Sequence, residues 1–332
     1  MAYFTSSIMA LLGGTVRDPM PVPTRPATAA AIANRWPRGN ALVLLGLLAL
    51  GASGSAHAHA DATPGSWWLW PPLLASAALY GFGVRQLWRS SGARRGIRWT
   101  HALAFAAGWL ALAAALNDPL DALGQVSFAA HMAQHEILML VAAPLLVLGK
   151  PLVAWVWALP PTQRRRIVRP FRGTVWRAAW GWLVAPPVAW GIHALALWTW
   201  HAPSWFEAGL RSTAVHNLQH ASFLASALLF WWVLVRRRAG GIAVLYVLTT
   251  LLHTGFLGAL LTFSSGVWYP TYASAANPWG MTALADQQLG GLIMWVPAGA
   301  IFIGAGVLLL GHWLHRLERT VQRAGLAREE AP

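Results

Sequence analysis

Seven long apolar blocks dominate the chain, and the short segments between them hold most of its arginines. Each block is close to the roughly 20 residues that a helix needs to cross a bilayer. The blocks are continuously apolar and do not alternate, so we expect helices, because only helices and closed barrels satisfy the backbone in lipid. The sequence therefore predicts an all-α, polytopic membrane bundle of about seven transmembrane helices. The blocks run approximately over residues 67–88, 99–116, 128–149, 179–200, 213–235, 241–263 and 288–312.

The composition agrees with a membrane protein. Hydrophobic residues make up 57% of the chain and charged residues only 10%, against roughly 25% charged residues in a soluble domain. The formal net charge is +14, but the arginines cluster between apolar blocks, where topology signals belong, and this argues against a nucleic-acid partner. The chain contains no cysteine, which excludes disulfides, thiolate metal sites and CxxC redox chemistry.

The first 60 residues form a leader ahead of these blocks. Arg35 and Arg38 precede an apolar stretch of roughly 12 residues, which is too short to cross a bilayer, and small residues follow it up to Ala60. This pattern is typical of a signal peptide that is cleaved within residues 56–60, and an uncleaved anchor is the alternative. The expected organisation is a leader (1–60), a seven-helix transmembrane domain (61–315) and a basic cytoplasmic tail (316–332).

The distribution of arginine predicts the orientation of the chain in the membrane. The connections around residues 89–98, 164–177 and 236–238 are rich in arginine, and so is the tail. By contrast, the alternate connections, 117–127, 201–212 and 264–287, carry only Arg211. The positive-inside rule places the arginine-rich connections in the cytoplasm. We therefore expect an N-terminus on the outer side of the membrane after cleavage and a cytoplasmic C-terminus.

Two similar motifs, HMAQH (131–135) and HNLQH (216–220), open the third and fifth blocks at their outer ends. Residues four apart lie on one face of a helix, so each motif projects two imidazoles in one direction. Polar residues within spans are costly and tend to be functional. The motifs therefore predict metal or haem ligation, with a hydrogen-bonded structural network and a proton path as alternatives. The candidate metal ligands are His131, His135, His216 and His220.

Neighbouring side chains bear on which metal such a site prefers. Imidazole suits copper, zinc, iron and nickel, whereas a thioether favours Cu(I), so Met132 inside the first motif favours copper. Gln134 and Gln219 each precede the second histidine of a motif and are candidates to fix an imidazole tautomer. Glu136 is an acid inside a span and is a candidate to pair with a histidine or to carry a proton.

Further candidates lie at or near the same outer end. His201 ends the fourth block, and His193 lies two turns deeper. Asp286 and Gln287 precede the seventh block. His59 becomes a copper ligand if cleavage leaves it at or near the new N-terminus, and otherwise it belongs to the end of the signal peptide.

Three segments together resemble a known family. HMAQHEILMLVAAPLLVLGKP (131–151), HNLQHASFLASALLFWW (216–232) and DQQLGGLIMWVP (286–297) are similar to signatures of the CtaG family of cytochrome c oxidase assembly factors, in its caa-type, seven-helix membrane branch. The resemblance covers roughly residues 67–315. It implies a bacterial membrane protein that is needed to build active haem-copper oxidase and that is thought to help copper reach it. The motif positions are His131, His135, His216, His220, Asp286 and Gln287.

Taken with the ligand chemistry, the resemblance predicts an assembly factor that holds copper at a periplasm-facing histidine site. The expected partners are cytochrome c oxidase subunits, periplasmic copper chaperones and the lipid bilayer. The sequence shows no nucleophile–base pair and no hydrolytic motif, so we expect a protein that is not an enzyme. The alternatives are a copper or other metal transporter lined by His193 and His253, a bis-histidine haem protein, and a purely scaffolding factor.

Overall fold

The computed structural model describes residues 69–91, 96–236 and 240–329. Within these ranges every regular element is a helix, so the expected all-α architecture is confirmed. The expected leader, with His59 and the cleavage region, lies outside the described residues, as does part of the third arginine-rich connection.

Thirteen α-helices, numbered α1 to α13 in chain order, are joined by one π-helical and two 3-10 segments in the described part of the chain. The helices are α1 (Trp70–Ser91), α2 (Trp99–Leu116), α3 (Leu120–Val126), α4 (Phe128–Glu136), α5 (Ala143–Gly149), α6 (Pro151–Ala158), α7 (Pro161–Val168), α8 (Thr174–Leu183), α9 (Pro186–His201), α10 (Pro203–Arg211), α11 (Thr213–Arg236), α12 (Gly240–Thr262) and α13 (Ala283–Glu329). The π-helical segment is Ile137–Ala142, and the 3-10 segments are Pro170–Arg172 and Pro270–Ala273.

Five described helices are long and apolar enough to cross a membrane, and a sixth span results if α8 and α9, which meet at a 60° bend, are counted together. A multi-pass membrane protein is therefore supported. The expected count of seven is not confirmed, because α1 is 22 residues long but is not among the helices that pass. The passing segments are Trp99–Leu116, Phe128–Gly149, Thr213–Arg236, Gly241–Thr262 and Ala283–Gln322.

The two spans that carry the histidine motifs form the centre of the bundle. In the span Phe128–Gly149, 56% of the apolar window is buried, and in Thr213–Arg236 the share is 67%, against 17% in the span Ala283–Gln322. The first of these spans packs against α2, α11 and α13. The histidine and glutamine side chains of both motifs are buried among neighbouring helices, whereas Leu218 of the second motif is exposed.

The span Phe128–Gly149, which we call the first motif span, has its N-terminus capped by a residue of α13. Asp286, in the first turn of α13, accepts hydrogen bonds from the Ser127 hydroxyl at 2.7 Å, the Phe128 N–H at 2.6 Å and the Ala129 N–H at 3.3 Å. A carboxylate that accepts unpaired N–H groups at a helix N-terminus stabilises the helix. Close packing supports the same junction, since a Cβ at Gly290 would collide with the Phe128 ring.

The spans give the bundle two chemically different ends. We call the end with the N-termini of α4, α11 and α13 the histidine end. The opposite end, with Arg98, Lys150 and Arg236, is the arginine end. There Lys150 links α5 to α6 in the left-handed conformation, with φ 53°. Burial, together with Arg236 and Arg98, lowers the pKa of Lys150 to about 8. The two ends carry the charge contrast that predicts orientation, and the orientation itself stays a prediction.

Candidate metal centre

Three of the four motif histidines converge at the histidine end. One nitrogen from each of His131, His216 and His220 lies within 4.8 Å of the others. All three residues are buried, with at most 6% of their surface exposed. The three-histidine site, as we call this set, therefore brings one residue of the first motif together with both residues of the second.

A hydrogen bond fixes which nitrogen of His131 carries the proton. Its Nδ1 lies 3.2 Å from the carbonyl oxygen of Gly124, so this nitrogen must carry the proton and donate it. The Tyr272 hydroxyl donates to the same carbonyl at 2.8 Å and lies 3.2 Å from the same Nδ1. The other nitrogen, Nε2, is buried without a hydrogen-bond partner among the described residues. That lone pair is therefore free to bind an ion.

A carboxylate holds the ring of His216 by the other nitrogen, Nε2, whereas His131 is held by Nδ1. The His216 Nε2 lies 3.4 Å from Oδ1 of Asp121 and donates to it, while Nδ1 is buried without a partner in the described part of the chain. In His220 the Nε2 is the buried nitrogen without a partner. A histidine that donates one ring N–H to a carboxylate or carbonyl and presents the other nitrogen is the usual arrangement of a metal ligand.

Gln134 holds that carboxylate in place. Its Nε2 donates to Oδ1 of Asp121 at 2.9 Å and to the carbonyl oxygen of Ala115 at 2.6 Å. Burial raises the pKa of Asp121, but hydrogen bonds from His216 and Gln134 outweigh this effect and hold the pKa below its ordinary value. Asp121 is therefore a carboxylate at neutral pH. It places a negative charge at the partly exposed edge of the site, next to His216.

Gln219 does not repeat the arrangement of Gln134. Its side chain is 1% exposed, and neither its oxygen nor its nitrogen has a hydrogen-bond partner among the described residues. The oxygen faces Gly209, where an added Cβ would lie 3.1 Å away. The sequence makes both glutamines candidates to fix an imidazole tautomer. Gln134 acts on His216 indirectly, because it holds Asp121, whereas no described contact links the side chain of Gln219 to a histidine.

His135 and His201 lie beside the three-histidine site. The ring centroid of His135 is 4.4 Å from that of His131, 5.2 Å from that of His220 and 6.4 Å from that of His201. Its nitrogens do not meet the three-way spacing of the site. The Nδ1 of His201 donates to the carbonyl oxygen of Leu197 at 2.7 Å. His135 as a ligand of the same ion stays a prediction.

Aromatic side chains cover the histidines. The ring of Phe206, 1% exposed, lies 5.0 Å from that of His131, and its other side packs on Tyr269 at 4.2 Å. The Tyr269 hydroxyl donates to the carbonyl oxygen of His201 at 2.9 Å. Such a cover removes water from the imidazoles, which strengthens any interaction with an ion.

Glu207 fastens the loop that supplies this cover. Its carboxylate accepts from the Thr271 hydroxyl at 2.6 Å, the Thr271 N–H at 3.1 Å and Arg211 at 2.7 Å. Burial raises the pKa of Glu207, but these hydrogen bonds and the Arg211 charge outweigh it, and the pKa lies below its ordinary value. The bonds position the short 3-10 turn that carries Tyr272 over His131.

The remaining predicted residues lie outside the three-histidine site. Asp286 caps α4, and Gln287 accepts from the Trp268 N–H at 2.6 Å and donates to the carbonyl oxygen of Gly266 at 3.1 Å. Met132, fully buried, packs with Phe128, Tyr269 and Met294. Glu136 is partly buried, and its Oε2 has no hydrogen-bond partner among the described residues. His193 shares a hydrogen bond with Ser226 at 3.1 Å.

Sequence reasoning did not assign roles to Asp121 and Tyr272. Both come from connections at the histidine end and reach the site only through tertiary contacts. For Asp121 a signal existed, because it is one of the few acids on the side of the chain that carries the motifs. No local pattern marks Tyr272.

The residues present fit a metal ion that accepts imidazole. The three-histidine site offers three buried imidazoles, and His131 and His216 are each held by a hydrogen-bond partner at one ring nitrogen. Leaving such polar atoms unpaired in a buried site costs about 1–3 kcal/mol each. An ion that binds all three would recover this free energy.

Fold and site together define a multi-pass helical membrane protein with a buried three-imidazole site at one end. A model of the family described as cytochrome c oxidase caa3 assembly factor (Caa3_CtaG) matches residues 78–316. The chain belongs to this family, and the resemblance seen in the sequence is confirmed.

Curated relatives of the chain come from mycobacteria. Uncharacterized proteins of Mycobacterium bovis and Mycobacterium tuberculosis are each 28% identical over 243 residues, which is 69% of this chain and 37% of the relative. One from Mycobacterium leprae is 25% identical over 231 residues, 67% of this chain and 35% of the relative. The match thus spans about a third of the length of these relatives. No solved structure shows significant similarity to the chain.

Proposed function

We propose that this chain is a cytochrome c oxidase assembly factor that binds copper at His131, His216 and His220 and releases it to the oxidase. Family membership supports the role in assembly. The observation that carries the copper step is the convergence of three buried imidazoles, with one nitrogen of each within 4.8 Å of the others. Each of these rings also has a buried nitrogen without a hydrogen-bond partner among the described residues. In this proposal copper is cargo, and the chain is not an enzyme.

Charge balance favours Cu(I) over a divalent ion at this site. The three imidazoles are neutral ligands, and one carboxylate, Asp121, bonds to His216. A singly charged ion next to one carboxylate leaves no net charge, whereas a divalent ion leaves one positive charge. Burying an unbalanced charge costs several kcal/mol. Met132 packs in an apolar cluster with Phe128, Tyr269 and Met294, so this preference rests on the charges and not on its thioether.

The surroundings of the site suit release of the ion to a partner. Asp121 is partly exposed, with 32% of its side chain accessible, and it borders His216. Copper at this position is therefore close to the surface of the histidine end. We place this end on the periplasmic side of the inner membrane, where oxidase subunits and periplasmic copper chaperones would meet it.

Complementation of a deletion strain tests the proposal. A bacterium that lacks this gene is supplied with the wild-type chain, with the His131→Ala/His216→Ala/His220→Ala variant, or with His315→Ala as a control at the arginine end. We expect the triple variant to reach the membrane and yet yield oxidase that is depleted of copper and inactive. Full oxidase assembly with the triple variant would contradict copper handling and leave a scaffolding role.

The purified chain distinguishes the rival functions. A Soret band that the triple variant loses would indicate haem at these histidines in place of copper. Copper uptake into vesicles that depends on His193 and His253 would indicate a transporter. The proposal predicts neither result.

A further inference from the structure

Two buried histidines beside the three-histidine site have nitrogens that no described contact explains. His135 is 1% exposed, and both of its ring nitrogens are buried without a hydrogen-bond partner in the described ranges. His201 is 2% exposed and has one such nitrogen, Nε2. A buried polar group left unpaired costs about 1–3 kcal/mol, so these atoms point to a ligand.

His201 is prepared for binding in the same way as His131. Its Nδ1 donates to the carbonyl oxygen of Leu197 at 2.7 Å, which fixes the proton on that nitrogen and leaves a lone pair on Nε2. The Tyr269 hydroxyl, which donates to the carbonyl oxygen of His201 at 2.9 Å, anchors this end of α9. The helix end and the ring are therefore both held before any ion binds.

The spacing of the two rings matches a single ion between them. A metal about 2.0 Å from an imidazole nitrogen lies about 3 Å from the ring centroid, so two imidazoles on opposite sides of one ion have centroids about 6 Å apart. The centroids of His135 and His201 are 6.4 Å apart, with the ring planes at 81°. Among common ions that bind imidazole, Cu(I) accepts two ligands in a linear arrangement.

Phe223 lines the space at these two rings. Its ring centroid is 4.6 Å from that of His135 and 5.9 Å from that of His201, and the residue is fully buried. The Phe223 side chain adds no polar atom to this space, so the ring nitrogens of His135 and His201 are the donors available there. An ion that requires few ligands suits such a space.

The pair is also connected to the three-histidine site. His135 lies one turn beyond His131 on the first motif span, and its ring centroid is 5.2 Å from that of His220. An ion can therefore exchange its imidazole ligands one at a time without passing through water. Such an exchange would lead from the partly exposed edge at Asp121, through His220 and His135, to His201 at the end of α9.

We propose that His135 and His201 form a second copper position, in which Cu(I) is held by two imidazoles next to the three-histidine site. The inference rests on the proposed function, because it takes copper as the cargo. The second position binds more weakly, since it offers two ligands and no described carboxylate bonds to either histidine. The two positions together hold one ion while another is delivered.

Titration of the full-length chain in detergent with Cu(I), under reducing conditions and against a chromophoric Cu(I) chelator, tests the second position. We expect the wild type to bind about two ions with different affinities, and His201→Ala and His135→Ala to bind about one. His193→Ala is the matched control on α9 and retains two, because His193 already pairs with Ser226. X-ray absorption of the second ion should show two nitrogen ligands.

The His131→Ala/His216→Ala variant separates the two positions and should still bind one ion, weakly. A wild type that binds a single ion, or a folded His201→Ala chain that still binds two, overturns the second position and leaves the proposed function intact. A wild type that binds no copper overturns both.

Discussion

The motifs HMAQH and HNLQH are nearly the same in sequence and different in their surroundings. In the first, His131 belongs to the three-histidine site and His135 lies beside it; in the second, His216 and His220 both belong to it. The side chain of the first glutamine, Gln134, forms two hydrogen bonds, whereas the side chain of Gln219 forms none among the described residues.

This contrast has a physical cause. The first motif follows the end of α2, which holds Ala115, and the connection that holds Asp121 and Gly124, so its polar groups find partners close in sequence. Gln219 instead faces the short helix α10, at Gly209. Spacing within a helix thus decides which residues share a face, and the neighbouring connections decide which of them are held in place.

The largest difference between the motifs should appear at their second histidines. We expect His220→Ala to lower the affinity for the first copper ion by more than about 100-fold, because losing a ligand costs more than losing an orienting partner, which costs 10–100-fold. His135→Ala should leave this affinity nearly unchanged. Competition with a Cu(I) chelator measures both, and equal losses would show that the two motifs contribute alike.

Removing the carboxylate behind His216 should have the next largest effect. Asp121→Ala takes away the acceptor that orients the ring and the charge that balances Cu(I), so the affinity should fall about 10–100-fold. Asp118→Ala is the matched control, since Asp118 is an exposed acid in the same connection. The same competition assay applies, and an unchanged affinity in Asp121→Ala would remove Asp121 from the site.

Replacing the two glutamines should change the copper affinity less, and only Gln134 should matter. Gln134→Leu releases Asp121 and leaves the carbonyl of Ala115 without a partner, so the copper affinity should fall about tenfold. Gln219→Leu removes two buried polar atoms that have no described partner, so the affinity should hold and the thermal midpoint should rise or stay constant. A matched loss in both variants would mean that the glutamines act alike.

The smallest effect concerns the hydrogen bonds of Glu207, which position the 3-10 turn that carries Tyr272 over His131. Burial raises the pKa of Glu207, but hydrogen bonds from Thr271 and Arg211 outweigh it, so the folded pKa lies below the ordinary value of a glutamate. The stabilisation is thus fully present above the unfolded pKa and is lost as the pH falls through the folded pKa. The thermal midpoint in detergent should fall below about pH 4.5, and Glu207→Gln should flatten this fall. If the thermal midpoint of Glu207→Gln varied with pH as that of the wild type does, the carboxylate of Glu207 would not stabilise the fold in this way.

The helical bundle and the meeting of the motifs could be predicted from the sequence, because both follow from local periodicity. Apolar blocks predict the helices, and i, i+4 spacing places two imidazoles on one face. The division of the histidines into a set of three and a neighbouring pair could not be predicted. It depends on how α4, α9 and α11 approach one another and on Tyr272 and Asp121, which join the site from distant connections. The leader lies outside the described residues, so its expected cleavage stays a prediction.

X-ray absorption at the copper edge, on the purified full-length chain loaded with one equivalent of Cu(I), tests the central claim most directly. We predict three nitrogen ligands at about 2.0 Å from the ion. In the His131→Ala/His216→Ala/His220→Ala variant this three-nitrogen signal should be lost, because only the weaker two-ligand position at His135 and His201 remains. A wild type that retains no copper, or a triple variant that retains it with an unchanged spectrum, would contradict the account.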